Sequence, residues 1–197
     1  MERVWITSDL HIGHNKEFLY KGRDFYNIEE HDITLVRNWN ELVSMEDTVY
    51  ILGDVMLKNN LQDTDFSYGI SILKKLNGKL IIIRGNHDTK GKIERYRECE
   101  NVIEAGAAAL YLDYPEIGSY HFYLTHYPTL ISHKRLKHMK TALINIYGHT
   151  HQQEHFYNGH PYMYCVCMDA HDMKPVLLDD IIEEIKMKKS EYKESDF

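Results

Sequence analysis

Histidine, aspartate and asparagine residues follow five apolar segments of this 197-residue chain, each at the point where the segment ends. In chain order these residues are Asp9 and His11, Asp54, Asn86 and His87, His126, and His149 and His151. Taken singly, such a residue more often caps a helix or opens a turn. Five separate turns that all carry these residue types at the same structural place instead indicate one shared site.

The donor atoms of these residues indicate a metal centre. Imidazole nitrogens, carboxylates and one amide oxygen, without a thiolate, suit ions such as Mn, Fe, Zn or Co. The set is too rich in nitrogen for Ca²⁺ or Mg²⁺, and it is larger than one tetrahedral Zn²⁺ would use. We therefore expect two metal ions that share a bridging carboxylate, an arrangement suited to in-line phosphoryl displacement.

Six apolar runs rich in β-branched residues predict the strands that position this site. They cover residues 3–7, 47–52, 79–84, 108–114, 120–126 and 142–147. Runs that are apolar at consecutive positions are typical of strands covered on both faces. In open α/β sheets, sites form beyond the carboxyl ends of strands, so residues far apart in the sequence meet there. The alternation of these runs with helical patterns predicts a layered α/β sandwich with a mixed sheet.

The longest helical pattern covers residues 27–44. It begins with Asn27 as N-cap and Glu30 three positions later, which is a capping-box arrangement. The apolar face expected on this helix consists of Ile33, Val36, Trp39 (or Asn40) and Val43.

Three further helices are predicted. Residues 67–78 form a pattern that ends on Gly78, a residue suited to a C-cap. A third pattern covers residues 88–99, and the tail from residue 177 begins as an amphipathic helix that becomes a polar end at about 187–197.

The bulk composition restricts the class of protein. A single domain spanning residues 1–197 is expected from the length. The net charge of −7 does not attract nucleic acid or an anionic membrane. No signal peptide or membrane-spanning run is recognisable, and the three cysteines have no disulfide spacing. We expect a cytoplasmic protein in which Cys165 and Cys167 are a buried pair of small hydrophobic residues.

The ordered blocks D-x-H, G-D, G-N-H-D, a later His and G-H-x-H resemble the calcineurin-like metallophosphoesterase superfamily. The blocks span residues 9–151, and the chain length is similar to that of the compact bacterial, archaeal and phage members. The resemblance implies a four-layer α-β-β-α sandwich with mixed sheets. It also implies a dinuclear-metal phosphoesterase, with Mn²⁺ as the first expectation and Fe, Zn, Co or Ni as alternatives.

The resemblance also implies roles for individual residues. One metal would be held by Asp9, His11 and His151, the second by Asn86, His126 and His149, and Asp54 would bridge the two. A metal-bridging hydroxide would attack phosphorus in line, and His87 would contact the phosphate and protonate the leaving oxygen. Catalysis is thus assigned to His87 and Asp54. Asp88 is expected to orient an imidazole.

One departure from the family pattern bears on the substrate. Leu57 stands where protein serine/threonine phosphatases of the superfamily carry the aspartate that partners the catalytic histidine. We therefore expect a small phosphorylated substrate, either a phosphodiester or a small nucleotide. A nuclease is an alternative, supported by the basic loop 134–140, and so is a non-catalytic scaffold. The roles of His14 and of this loop stay open, as does the oligomeric state.

Overall fold

Two mixed β-sheets form the frame of the protein in the computed structural model, which describes residues 2–113, 120–129 and 142–191. The strands are β1 (Val4–Thr7), β2 (Thr48–Ile51), β3 (Lys79–Ile83), β4 (Val102–Ala107), β5 (Ala109–Asp113), β6 (Tyr120–Thr125), β7 (Ala142–Tyr147), β8 (Met163–Cys165) and β9 (Val176–Leu177). The first sheet has the order β4-β3-β2-β1-β9, with β9 antiparallel at one edge. The second has the order β5-β6-β7-β8, with β5 antiparallel at one edge.

Five α-helices in the described ranges flank the sheets. They are α1 (Glu17–Tyr20), α2 (Ile28–Leu42), α3 (Ser67–Leu73), α4 (Lys90–Tyr96) and α5 (Leu178–Glu191). Two mixed sheets flanked by helices confirm the predicted α/β class. The single domain over residues 1–197 stays a prediction. Among the helices in the described ranges, none is long and apolar enough to cross a membrane.

Apolar side chains on the two faces of the first sheet enter different clusters. Trp5 of β1 packs with the cluster that includes Trp39 of α2, whereas the next residue, Ile6, packs with Phe122 and Ile144 of the second sheet. Successive side chains of a strand point to opposite faces, so a strand covered on both sides is apolar throughout. Helix α5 contributes its buried isoleucines to the cluster between the sheets.

Helix α2 begins as predicted and buries most of the predicted face. The Asn27 side chain accepts a hydrogen bond from the Glu30 N–H at 2.8 Å, which confirms the N-cap. Trp39 and Val43 are buried and Val36 packs against the core as predicted. Ile33 is 67% exposed, so its place on this face was wrong. The buried residues are Ile28, His31, Asp32, Leu35 and Trp39. This stripe also has helical spacing, but two of its members are polar, and they are buried because they hydrogen-bond one another at 2.7 Å.

The predicted C-cap at Gly78 was also wrong. Helix α3 ends at Leu73, and Gly78 lies in the turn that enters β3. Its φ of +97° is a left-handed conformation, and an added Cβ would lie 3.0 Å from the Asp47 carbonyl oxygen. Glycine is required here by the turn rather than by the helix.

Some elements had no sequence signal that predicted them. Strand β4 contains Glu104 and Gly106, lies at a sheet edge and pairs with β3 through register shifts. Strand β9 is two residues long and lies at the other edge. Charged residues, register irregularities and short length are typical of edge strands, and they remove the continuous apolar run that would have predicted these two. Helix α5 continues to Glu191, so the first part of the predicted polar tail is helical, and residues 192–197 lie outside the described ranges.

The Asp47 carboxylate joins β1 to the turn before β2. It is buried and accepts hydrogen bonds from the backbone N–H of Arg3 and Ser44, each at 3.0 Å. The Trp5 indole donates at 3.0 Å and the Arg3 guanidinium at 2.9 Å. Burial alone would raise the pKa of Asp47, but these donors outweigh it and lower the pKa to about 2.

We expect Asp47→Ala to lower the free energy of unfolding by about 2–4 kcal/mol, because buried donors lose their acceptor. Asp47→Asn keeps one acceptor oxygen and should lose less. A carboxyl whose pKa is depressed in the folded state contributes stability above its unfolded pKa of about 4 and loses it as the pH falls toward 2. Urea denaturation between pH 7 and 2.5 should therefore show that the difference in free energy of unfolding between wild type and Asp47→Ala becomes smaller at low pH. A difference that stays constant over this pH range would contradict the prediction.

Candidate metal centre

The predicted ligands meet where the two sheets approach each other. Strands β1, β2 and β3 are parallel neighbours, so the turns after them lie side by side at one edge of the first sheet. Strands β6 and β7 of the second sheet are also parallel and end facing the same place. The turns after these strands carry Asp9 and His11, Asp54, Asn86 and His87, His126, and His149 and His151.

One carboxylate oxygen lies at the centre of this arrangement. Asp54 Oδ2 is 4.0 Å from His11 Nε2 and 3.7 Å from His126 Nε2. It is also 3.9 Å from His87 Nε2. The side chain is buried, and burial raises the pKa of Asp54. A carboxylate between imidazoles from different strands is suited to bridging two cations.

A first group of potential ligands consists of Asp9, His11 and His151. The Nε2 atoms of the two histidines lie 3.1 Å apart, and Asp9 Oδ1 is 3.8 Å from the first and 3.7 Å from the second. Although Asp9 is buried, its Oδ1 has no hydrogen-bond partner among the described residues. A buried carboxylate oxygen without a partner is costly, so this atom fits a bound cation.

A second group lies around His126, which clusters with Asp9 and Asp54. His126 Nδ1 donates to the Leu52 carbonyl at 2.8 Å, which leaves Nε2 as an acceptor in the neutral ring. This Nε2 is 2.8 Å from Asn86 Oδ1. With the Asn86 amide in this orientation, both the Nε2 and the Oδ1 atom are acceptors, and a cation bound between them would remove their repulsion. The donor atoms of both groups therefore suit the predicted metals, and ligation by these residues stays a prediction.

His149 lies beside the second group. Its ring centroid is 5.0 Å from that of His126 and 4.6 Å from that of Tyr127. Its backbone N–H donates to Asp9 Oδ2 at 2.8 Å. Burial lowers the pKa of His149, which favours the neutral imidazole that a metal needs. Neither group of clustered ligand atoms within the described residues includes His149.

Five of the ten non-glycine residues with positive φ angles in the described ranges are predicted ligands. Positive φ angles occur at Asp9 (58°), His11 (50°), Asp54 (55°), His149 (71°) and His151 (50°). Residues with a Cβ rarely adopt this conformation, which costs on the order of 1–3 kcal/mol each. Such strain persists where surrounding contacts impose it, and it is typical of functional sites.

Asp88 does not orient an imidazole, contrary to the prediction. Its buried carboxylate accepts hydrogen bonds from the backbone N–H groups of Asp54 at 2.7 Å and Gly85 at 2.9 Å. It also accepts from the Val55 N–H at 3.3 Å and from the Tyr96 hydroxyl at 2.8 Å. Asp88 therefore holds the turns after β2 and β3 together.

The backbone of His87 is fixed while its side chain is accessible. Its N–H donates to Asp54 Oδ1 at 2.8 Å, and its carbonyl accepts from the Lys92 ammonium at 2.8 Å. The imidazole is 43% exposed. A solvent-facing ring next to Asp54 can contact a substrate that reaches the centre.

Two residues at the centre had no local sequence signal. His151 Nδ1 donates to Asp169 Oδ2 at 2.8 Å, and Arg23 donates to both oxygens of the same carboxylate, at 3.0 and 2.8 Å. Arg23 also donates to the Asp9 carbonyl at 2.8 Å. Burial alone would raise the pKa of Asp169, but these donors hold it well below its usual range. Neither residue lies in a recognisable motif, and only the fold brings them to the site.

Two other predictions concern residues near the centre. Cys165 and Cys167 are buried and free, as expected, and the Cys167 thiol also donates to Asp9 Oδ2 at 3.2 Å. The His14 ring lies 5.3 Å from that of His11, and burial lowers the pKa of His14 to about 4. The basic loop 134–140 lies outside the described residues.

Comparisons with known proteins place the chain in a family. Residues 3–166 match the family described as the calcineurin-like phosphoesterase superfamily domain. An uncharacterized protein of Methanocaldococcus jannaschii is 39% identical over 100 residues, which are 51% of this chain and about half (53%) of that protein. The gene 66 protein of Mycobacterium phage D29 is 33% identical over 170 residues, covering 78% of this chain and 80% of the phage protein.

A solved structure shares the fold. The crystal structure of a protein of unknown function from Aquifex aeolicus superposes with a TM-score of 0.67. The superposition covers 93% of this chain and 100% of that one, at 21% sequence identity. This likeness concerns the fold alone.

We expect Gly85→Ala to disrupt the centre, because an added Cβ would overlap the Asp54 carboxylate and lie 2.5 Å from the Asp54 backbone nitrogen. Gly91→Ala is the matched control, since nothing lies within 4 Å of its added Cβ. Calorimetric titration with Mn²⁺ should show affinity at least about tenfold weaker for Gly85→Ala, a difference of about 1.4 kcal/mol, and wild-type affinity for Gly91→Ala. Equal Mn²⁺ affinity in all three proteins would argue against the assigned position of the centre.

Proposed function

Since the chain belongs to the calcineurin-like phosphoesterase superfamily, we propose that it is a metal-dependent phosphoesterase acting on phosphodiesters or small nucleotides. The observation that carries this proposal is the buried Asp54 oxygen that faces the Nε2 atoms of His11, His126 and His87 at 3.7–4.0 Å. Beside it lies the unpartnered oxygen of Asp9. These are the features of a site built to hold positive charge.

We propose two metal positions on either side of Asp54. Asp9, His11 and His151 would hold one ion, and Asn86, His126 and His149 the other, with Mn²⁺ as the first expectation. Two such ions supply positive charge to phosphate oxygens and lower the pKa of water toward neutrality. The proposal is supported by the nitrogen-rich donor set and by the two clusters of ligand atoms.

Residues around these positions set the protonation and direction of the imidazoles. Asp169 accepts the Nδ1 proton of His151, and the Leu52 carbonyl accepts that of His126, so both rings present Nε2 toward Asp54 and Asp9. Such outer hydrogen bonds orient imidazole ligands and raise their basicity. These two hydrogen bonds favour the tautomers that metal ligation through Nε2 would need.

His87 is the proposed proton donor to the leaving oxygen. Its backbone is held at both its N–H and its carbonyl, so the ring stays beside Asp54 while one side faces solvent. An imidazole titrates near neutrality and can release a proton to a departing alkoxide.

The proposed substrate is a small phosphorylated molecule. The absence of the phosphatase aspartate at Leu57 supports a diester or nucleotide over a phosphoprotein. We further propose that the protein works in the cytoplasm, which its free thiols support.

We expect Asp54→Ala to abolish hydrolysis of bis(p-nitrophenyl) phosphate in the presence of Mn²⁺, because the carboxylate between the two metal positions is lost. Asp179→Ala, at an exposed aspartate of α5, is the control and should keep wild-type turnover. EDTA should remove the wild-type activity and Mn²⁺ should restore it. Turnover in Asp54→Ala equal to wild type at saturating Mn²⁺ would refute the proposal.

We expect His87→Ala to retain bound Mn²⁺ and to lose roughly 10²–10⁴-fold in kcat. The loss should be larger for an alkyl ester than for a p-nitrophenyl ester, since a poor leaving group depends more on protonation. Steady-state kinetics on both esters, together with measured metal content, test this. An equal loss on both esters would show that His87 does not act as the acid.

A further inference from the structure

A cavity of about 750 Å³ borders Asn86 and His87. Three of the side chains that line it are cationic, namely Lys16, Lys58 and Lys92. The rest are apolar, histidine, threonine or amide side chains, and no carboxylate among the described residues lines it. The lining is therefore positively charged, although the chain as a whole has a net charge of −7.

Two of these cations share one aromatic ring. The ammonium of Lys58 lies 5.9 Å from the Phe66 ring centroid, and that of Lys92 lies 4.9 Å from it. The ring attracts both cations through its negative face, and it thereby holds two like charges near one another. Lys58 disfavours the charge on Lys92, and an anion beside the two ammonium groups would offset this repulsion.

No carboxylate of the described residues forms a direct ion pair with these three lysines. Lys92 is buried and donates to the carbonyls of Met56 at 2.5 Å and His87 at 2.8 Å, and Asp88 and Asp54 attract its charge only from beyond ion-pair distance. Neither Lys58 nor Lys16 forms an ion pair within the part of the chain that the structure describes. An anion in the cavity would neutralise this charge and accept hydrogen bonds from the lysines.

Amide side chains complete the lining. Asn15, Asn59 and Gln62 are among them. An amide can donate to an anion without adding negative charge. A lining of ammonium and amide groups without carboxylates is suited to a phosphate and unsuited to a cation.

We propose that this cavity binds a second phosphate group of the substrate, carried on the portion that leaves. The inference rests on the proposed function, in which His87 donates to the leaving oxygen. Because His87 also borders the cavity, the group that departs from the scissile phosphate would enter the cavity that Lys58 lines. The preferred substrates are then phosphodiesters whose leaving portion carries a phosphate of its own.

Binding of inorganic phosphate to the EDTA-treated protein tests the cavity without any catalysis. Saturable binding is expected in the wild type, at least about tenfold weaker binding in Lys58→Gln, and wild-type binding in Lys74→Gln, an exposed lysine away from the cavity. The affinity of each protein for phosphate is measured by titration with NMR or calorimetric detection. Absence of saturable binding in the wild type, or equal affinity in Lys58→Gln, would overturn the proposal.

Kinetics on matched substrates test the consequence for specificity. A dinucleoside monophosphate is compared with the same molecule bearing a phosphate on its leaving nucleoside, using the Mn²⁺-loaded protein. The added phosphate should lower KM at least about tenfold in the wild type and in Lys74→Gln, and this advantage should disappear in Lys58→Gln. Equal KM values of the wild type for the two compounds would overturn the proposed preference for a phosphorylated leaving group. If neither compound is hydrolysed, the proposed function fails for these diesters, and phosphate binding alone then decides whether the cavity is an anion site.

Discussion

The arrangement of the centre depends on the hydrogen bonds that the Asp88 carboxylate accepts. One oxygen accepts the backbone N–H groups of both Asp54 and Gly85, and the other accepts the Tyr96 hydroxyl from α4. A single buried side chain therefore joins the turns after β2 and β3 to the helix that follows. Without it, the backbone N–H groups of these turns would be buried without acceptors, at a cost of about 1–3 kcal/mol each. The close approach of Gly85 to Asp54 follows from this junction and leaves no room for a Cβ.

Strain and charge at the centre have a common explanation. Left-handed backbone occurs at Asp9, His11, Asp54, His149 and His151, in the turns whose side chains meet at the centre. The resulting cluster is unfavourable on its own, because acceptors face acceptors and one carboxylate oxygen is unpartnered. Cations bound at this cluster would offset both costs, since the donors are already in place. The geometry of the folded chain is therefore suited to the metal ions that we propose.

The surroundings of His87 divide the site into two electrostatic environments. On one side lies the Asp54 carboxylate, and on the other lies a cavity lined by Lys58 and Lys92. The Lys92 ammonium contributes to both, because it fixes the His87 carbonyl and also lies over Phe66. A substrate bound across His87 would place its reacting phosphate near one environment and any further anion in the other.

The sequence by itself determined the α/β class and the turns that carry chemistry, because both are written in local patterns. Apolar runs and the residues directly after them are neighbours in the chain, so periodicity and position predict them. It did not determine that Ile33 of α2 is exposed while His31 and Asp32 are buried, nor the role of Asp88. The contributions of Asp169 and Lys58 also came only from the tertiary structure. The Arg23–Asp169 pair, for example, joins residues 146 positions apart. Contacts of that kind depend on how the sheets and helices pack, and no window of sequence contains both partners.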